Sequence, residues 1–139
     1  MNHRLLATTA ALLIATSAGL ATAQSRQPVS NQAIAVGADN ASYENAGFSL
    51  RGRAEVTQGT NRLRADSIEG SGSNGGISQI TASGDVYYVT PNETMRGDRA
   101  VYTDASKTIV VTGDVILTQG RNVLTGSRLT YNIDTGEAQ

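Results

Sequence analysis

The sequence predicts an all-β domain in which one antiparallel sheet is folded over on itself, and three observations carry that prediction. From about Asn31 onward apolar and polar residues alternate with a period of two, as strands with one buried face require, and no long stretch keeps a helical period. Glycine-rich turn signals punctuate the alternation. The apolar pattern then recurs three times around Gly52, Gly84 and Gly113, in units of about thirty residues.

The chain opens with the basic Met1-Asn2-His3-Arg4, runs apolar or small from Leu5 to Leu20, and continues Ala21-Thr22-Ala23. A basic start, an apolar run and an Ala-x-Ala site make residues 1–23 a cleavable secretory signal. A membrane anchor would want roughly 20 strongly apolar residues, and this run is shorter and diluted by Thr8, Thr9, Thr16, Ser17 and Gly19. Residues 24–32, polar and containing Pro28, read as a flexible leader, and 33–139 as one domain. Loss of Arg4 takes the formal charge from −1 to −2, a near-neutral surface that argues against nucleic acid as a partner. Loss of His3 leaves no His, Cys or Trp. That removes Ser-His and Cys-His nucleophile systems, disulfides, and the usual zinc, copper and haem ligand sets. No catalytic residue, metal or cofactor is therefore expected. The acidic residues are scattered rather than paired across a cleft, as glycoside hydrolysis would need. Binding is favoured over catalysis.

Residues 39–45 are the one short candidate for a helix. Strands account for the rest. Four residues before each repeat glycine stand Phe48, Ile80 and Ile109; two before, Leu50, Ala82 and Val111. Two after come Ala54, Val86 and Val115; four after, Val56, Tyr88 and Leu117. Further on come Leu63, Met95 and Leu124, then Ala65, Gly97 and Gly126, then Ile68, Ala100 and Leu129. Gln58-Gly59-Thr60-Asn61 and Gln119-Gly120-Arg121-Asn122 read as two-residue hairpins with glycine first, whereas Thr90-Pro91-Asn92-Glu93 uses proline. That register sets Leu117 opposite Leu124 and Val115 opposite Gly126, and inward parity must flip before Leu129, which predicts a bulge near 126–128. Paired Gly113 and Gly126 would let both arms of a hairpin bend at one level, so stacked hairpins fold over with the apolar stripe inside. Asp134-Thr135-Gly136 offers glycine for a further turn, and 70–76 reads as a mobile loop. Glu137-Ala138-Gln139 begins another rung, which leaves 129–134 as an edge strand without lysine.

These motifs carry a resemblance. Residues 48–59 (Phe-Ser-Leu-Arg-Gly-Arg-Ala-Glu-Val-Thr-Gln-Gly) and 112–120 (Thr-Gly-Asp-Val-Ile-Leu-Thr-Gln-Gly) resemble the strand–Gly–strand–Thr-Gln-Gly pattern of the OstA-like domain family of lipopolysaccharide-transport proteins. Residues 123–131 resemble the element that follows it, and the likeness runs from about Ile34 to Gln139. The resemblance implies a folded-over antiparallel β-jelly-roll in the periplasm whose interior shields the acyl chains of lipopolysaccharide. It also implies head-to-tail self-association, with the inner-membrane-anchored and outer-membrane translocon components of the export machine as partners.

On this reading Phe48, Leu50, Val56, Leu63, Ile80, Tyr88, Met95, Ile109, Val111, Val115, Leu117, Leu124, Leu129 and Tyr131 are candidates for the lipid groove. Ile34 and Val36 at one edge, and Leu129, Tyr131 and Ile133 at the other, are candidates for pairing with a partner. The same apolar stripe would hold together a structural or adhesive β-repeat protein without cargo, and the domain could also belong to another component of the same machine. Arg62, Arg64, Arg96, Arg99, Arg121 and Arg128 are expected to pair with Asp66, Asp98, Asp114 or Glu93 on a solvated face rather than to bind phosphate.

Overall fold

Period-two alternation becomes sheet almost without interruption. The computed structural model describes residues 28–44, 46–73 and 76–139; the expected secretory signal (1–23) and the first residues of the expected leader lie outside them. Eight strands follow a 3-10 turn at Val29–Asn31: β1 Ile34–Gly37, β2 Asn40–Glu44, β3 Gly47–Gln58, β4 Asn61–Ser73, β5 Gly76–Val89, β6 Glu93–Thr103, β7 Thr108–Gln119 and β8 Asn122–Asn132. All belong to one antiparallel sheet ordered β1-β3-β4-β5-β6-β7-β8, with β2 also paired to β3. β1 meets the end of β3 and β2 its beginning, so the two act as one edge strand broken at Ala38-Asp39.

Every long strand is creased near its middle, and the crease is written in the repeat. Gly52-Arg53, Gly84-Asp85 and Gly113-Asp114 each take two successive positive φ values (76° and 48°, 81° and 45°, 80° and 46°). Each pair opposes a single residue on the next strand: Asp66, Asp98 and Ser127. The register shift therefore lies on the arm that carries the repeat glycine; the bulge predicted near 126–128 belongs to Gly113-Asp114 instead, because only there does the backbone reach the left-handed region. A Cβ on Gly52 would stand 2.8 Å from an oxygen of Asp39, and one on Gly113 2.5 Å from an oxygen of Asp98. Asp66 occupies the same place against Gly84. Two of the acids expected to pair with arginines, Asp66 and Asp98, thus pack on the crease. Among the described residues the ion pairs are Arg53–Asp39, Arg62–Glu55 and Lys107–Asp104, while Arg96 lies over the ring of Tyr87 at 5.4 Å.

The crease divides the sheet into two limbs. The upper limb holds β1 and residues 54–58, 61–65, 86–89, 93–97, 115–119 and 122–126; the lower limb holds β2 and 47–51, 67–73, 76–83, 99–103, 108–112 and 128–132. Inward parity switches across it: in β4, Leu63 and Ala65 are buried on one side and Ile68 on the other. The interior consists of Leu50, Ile68, Val86, Met95, Ile109, Val111 and Leu117, all essentially inaccessible, with their repeat-related neighbours. Full burial of one such aliphatic chain is worth about 1.5–3 kcal/mol, so this one face supplies the cohesion that the absent disulfides do not.

Several local expectations change. Residues 40–44 form a strand, not a helix, because pairing with β3 satisfies their backbone groups. The glycine-rich 70–76 stretch is mostly ladder, with Ser73 opposite Gly76 and only Asn74 and Gly75 outside the described residues. The described end of the leader, 28–32, is a 3-10 turn held to the sheet: Gln58 Nε2 donates to the carbonyls of Ser30 (3.3 Å) and Gln32 (3.0 Å). The turns behave as the residues dictate. Gly59 and Gly120 take φ of 60° and 59°, and in the proline copy the Thr90 hydroxyl accepts from the N–H groups of Asn92 and Glu93.

Candidate lipid-binding trough

Twist decides which parts of the two limbs meet. Strands in a sheet rotate steadily with respect to one another, so the lower limb of β8 faces the upper limb of β4–β6 rather than its own upper limb. Tyr131 meets Tyr88 edge to face, with ring centroids 5.9 Å apart at 61°. The Tyr131 hydroxyl lies near Thr90 and Glu93 at the turn between β5 and β6, and Asn61 Nδ2 donates to the Tyr88 hydroxyl at 2.8 Å. Ile133 enters beneath, beside Val56, Leu63, Ile80, Tyr102 and Ile109. Burial pushes the hydroxyls of Tyr88, Tyr102 and Tyr131 up; the neighbouring Asp104 adds to this for Tyr102, and Glu93 for Tyr131. Lys107 holds the Asp104 carboxyl below its ordinary range.

The middle of the trough is therefore closed and filled. A cavity there, bordered by Ile34, Val56, Tyr88 and Ile133 among others, has a volume of about 30 Å³. That is room for water-sized occupants, and admitting an acyl chain requires the limbs to part. One seam atom is ill served: Glu93 Oε2 is buried without a hydrogen-bond partner. Such an atom carries a desolvation cost, which makes this seam a weak line in the closure.

The two ends differ from the middle. At the β8 end the upper limb has no limb across from it: Leu124, inward and opposite Leu117, is 59 % exposed, and its outward neighbour Val123 is 60 % exposed. At the other end the lower limb lacks a counterpart. There Tyr43, opposite Phe48 and on the inner face, is 68 % exposed, and Phe48 is half-buried over Gly70. The trough is shut diagonally and opens at opposite ends on opposite limbs.

Of the groove candidates, Leu50, Val56, Leu63, Ile80, Tyr88, Met95, Ile109, Val111, Val115, Leu117, Leu129 and Tyr131 are all buried in the closed trough, whereas Phe48 and Leu124 stand at its two mouths. Of the edge candidates, Ile34 is exposed at the rim of the inner cavity and Val36 is half-buried against the core, both on the edge strand β1. The expected edge at 129–134 is corrected. Thr130 and Gln139 exchange two backbone bonds of 2.8 Å, and Asn132 N–H donates to Glu137 O. Gly136, at φ 77°, turns the chain back to make this pairing, so Leu129, Tyr131 and Ile133 face inward and their strand is covered. Among the described residues the stretch of β8 with no strand on its outer edge is 122–128, exposed throughout. Sequence reasoning missed Tyr43, Val123 and the polar seam of Asn61, Thr90 and Glu93. The alternation marks which residues face inward, but it carries no information on which rungs the twist leaves uncovered.

A single sheet creased along a line of glycines, with an apolar inner face and two open mouths, defines a folded-over antiparallel β-jelly-roll. Residues 35–137 match the family described as "LptA/(LptD N-terminal domain) LPS transport protein", and the chain belongs to that family. Its fold is that of LptH from Pseudomonas aeruginosa, an LptA-homologous periplasmic component of the lipopolysaccharide transport device: TM-score 0.74, 21 % identity, 81 % of this chain and 85 % of that one. An uncharacterized protein of Rhizobium meliloti (strain 1021) is 34 % identical over 98 residues, covering 63 % of this chain and 53 % of that protein. The chain thus spans about half the length of that relative.

Proposed function

We propose that this protein is a periplasmic lipopolysaccharide carrier, exported by the 1–23 signal, which shields acyl chains in the trough and joins end to end with neighbours of the same fold. The observation that carries the reading is Leu124. The apolar repeat continues unbroken into a rung where nothing covers it, and an inward leucine 59 % exposed beside a fully buried Leu117 is what a mouth for cargo or partner requires. Each buried methylene contributes about 0.8 kcal/mol, so a multi-acyl lipid needs a continuous apolar lining to cross water, and the inner face supplies one once the limbs part.

The strand courses support a particular join. β8 runs from upper limb to lower limb, and so does the β1–β2 edge. If the trough continues from one copy to the next, β1 lies parallel to 122–128, with Ile34 and Val36 near Leu124. The filled interior favours a second reading, a structural β-repeat protein without cargo. A photocrosslinking amino acid at Leu117 or Leu124, irradiated with lipopolysaccharide, separates the two. Adducts at both positions are expected, and their absence at both, in a folded protein, overturns the carrier reading.

A further inference from the structure

The segment just before β1 lies across the middle of the trough. Gln58 at the tip of the upper limb holds the carbonyls of Ser30 and Gln32. From there the Ser30 N–H donates to Asp134 Oδ1 (3.1 Å) and the Ser30 hydroxyl to Oδ2 (2.8 Å), in the turn that follows the lower limb of β8. Val29 packs against the core from the same short turn. Residues 104 apart in sequence are thereby tied across the line where the two limbs meet. The Ser30–Asp134 contact is polar and exposed, so it is made and broken at little cost compared with the apolar contacts beneath. Gln58 also borders the small cavity, together with Ile34, Tyr88 and Ile133.

The geometry points to a strap: residues 29–32, pinned between Gln58 and Asp134, bar the limbs from parting, and lipid enters the trough only when the Ser30–Asp134 contact releases. This rests on the carrier reading above. It adds a place at which loading is controlled.

The chain contains no cysteine, so Ser30→Cys with Asp134→Cys gives a single thiol pair across the strap. Binding of fluorescently labelled lipopolysaccharide is measured for wild type, for the pair kept reduced, and for the pair joined by oxidation or by a short bismaleimide, with closure verified by mass. Wild type and reduced pair are expected to bind, the joined pair to lose at least about tenfold in affinity, and reductant to restore binding to the disulfide form. Asp134→Ala, which frees the strap, is expected to bind a fewfold more tightly, in keeping with the loss of two exposed bonds. If wild type binds and the joined pair binds equally well, the strap is overturned and the carrier reading stands. If wild type itself fails to bind, both fall together.

Discussion

Leu63, Met95 and Leu124 occupy one position in three copies of one repeat, yet the first two are 5 % and 0 % exposed and the third is 59 %. The residues are interchangeable and the local register is the same: each faces the residue four beyond its repeat glycine, Val56, Tyr88 or Leu117. What differs is surroundings. Leu63 and Met95 have strands on both sides and a limb opposite; Leu124 has one neighbouring strand and no limb across from it. Repeat arrays bury a face only where a neighbour stacks on it. A terminal rung that keeps its apolar residue is therefore incomplete by itself, and the comparison separates residues that hold the fold from residues available to something else.

The sharpest way to break that comparison is to truncate both positions. Met95→Ala should cost about 2–5 kcal/mol, as core methionine truncations do, and Leu124→Ala within about 0.5 kcal/mol, as exposed sites do, both read from urea midpoints. Equal costs would mean that the upper limb of β8 is covered in solution by a part of the chain or by another copy.

The crease offers the same contrast within one hairpin. Gly113, at φ 80° with Asp98 against it, should lose about 1–3 kcal/mol on substitution by alanine. Gly126, facing it across the bend, would put a Cβ no nearer than 3.9 Å to anything and should tolerate alanine within about 0.5 kcal/mol. Thermal unfolding of the two variants decides whether the bend belongs to one arm or to both.

A third contrast uses pH. The hydroxyls of Tyr88, Tyr102 and Tyr131 are raised in the folded state, while in the unfolded chain they titrate near about 10. The unfolded chain then loses its protons first, so the stability held below that pH declines as pH climbs through and above it, by at most about 1.4 kcal/mol per pH unit for the buried Tyr88. Urea unfolding at pH 8 and pH 11 measures the decline. Tyr88→Phe should reduce it, leaving the part due to Tyr102 and Tyr131, whereas Leu124→Ala should leave its slope unchanged.

How much of this was legible beforehand depends on the range of the interaction. Inward parity, the pairing of Leu117 with Leu124, the turn glycines and the three creases are local consequences of alternation and of glycine's access to positive φ, and the sequence displays them. Which limb twist sets against which is the sum of small rotations over many strands, and no residue encodes it. The mouth at Leu124 and the Tyr131–Glu93 seam were therefore invisible. Residues 40–44 are a strand rather than the short helix expected, because β3 offers their backbone a ready partner that the segment's own residues do not announce. The strap was missed because Pro28 and polar neighbours look the same whether the segment is free or tied by Gln58.

The smallest expected effect concerns the second residue of each crease. Arg53, Asp85 and Asp114 hold φ of 48°, 45° and 46°, a region that disfavours any side chain and costs glycine nothing. Asp114→Gly should relieve that strain and raise stability by up to about 1 kcal/mol, the scale of backbone substitutions at such sites. Arg53 differs from the aspartates in what its side chain does. Its guanidinium grips Asp39 through bonds of 2.6 to 3.2 Å, holding that carboxyl below its ordinary range and closing the gap between β1 and β2. Arg53→Gly gains the same relief but releases Asp39 from its arginine partner, so its midpoint should rise less than that of Asp114→Gly. If the two variants gain equally, the Arg53–Asp39 pair contributes nothing to holding the edge strand, and the crease at the exposed end is set by Gly52 alone.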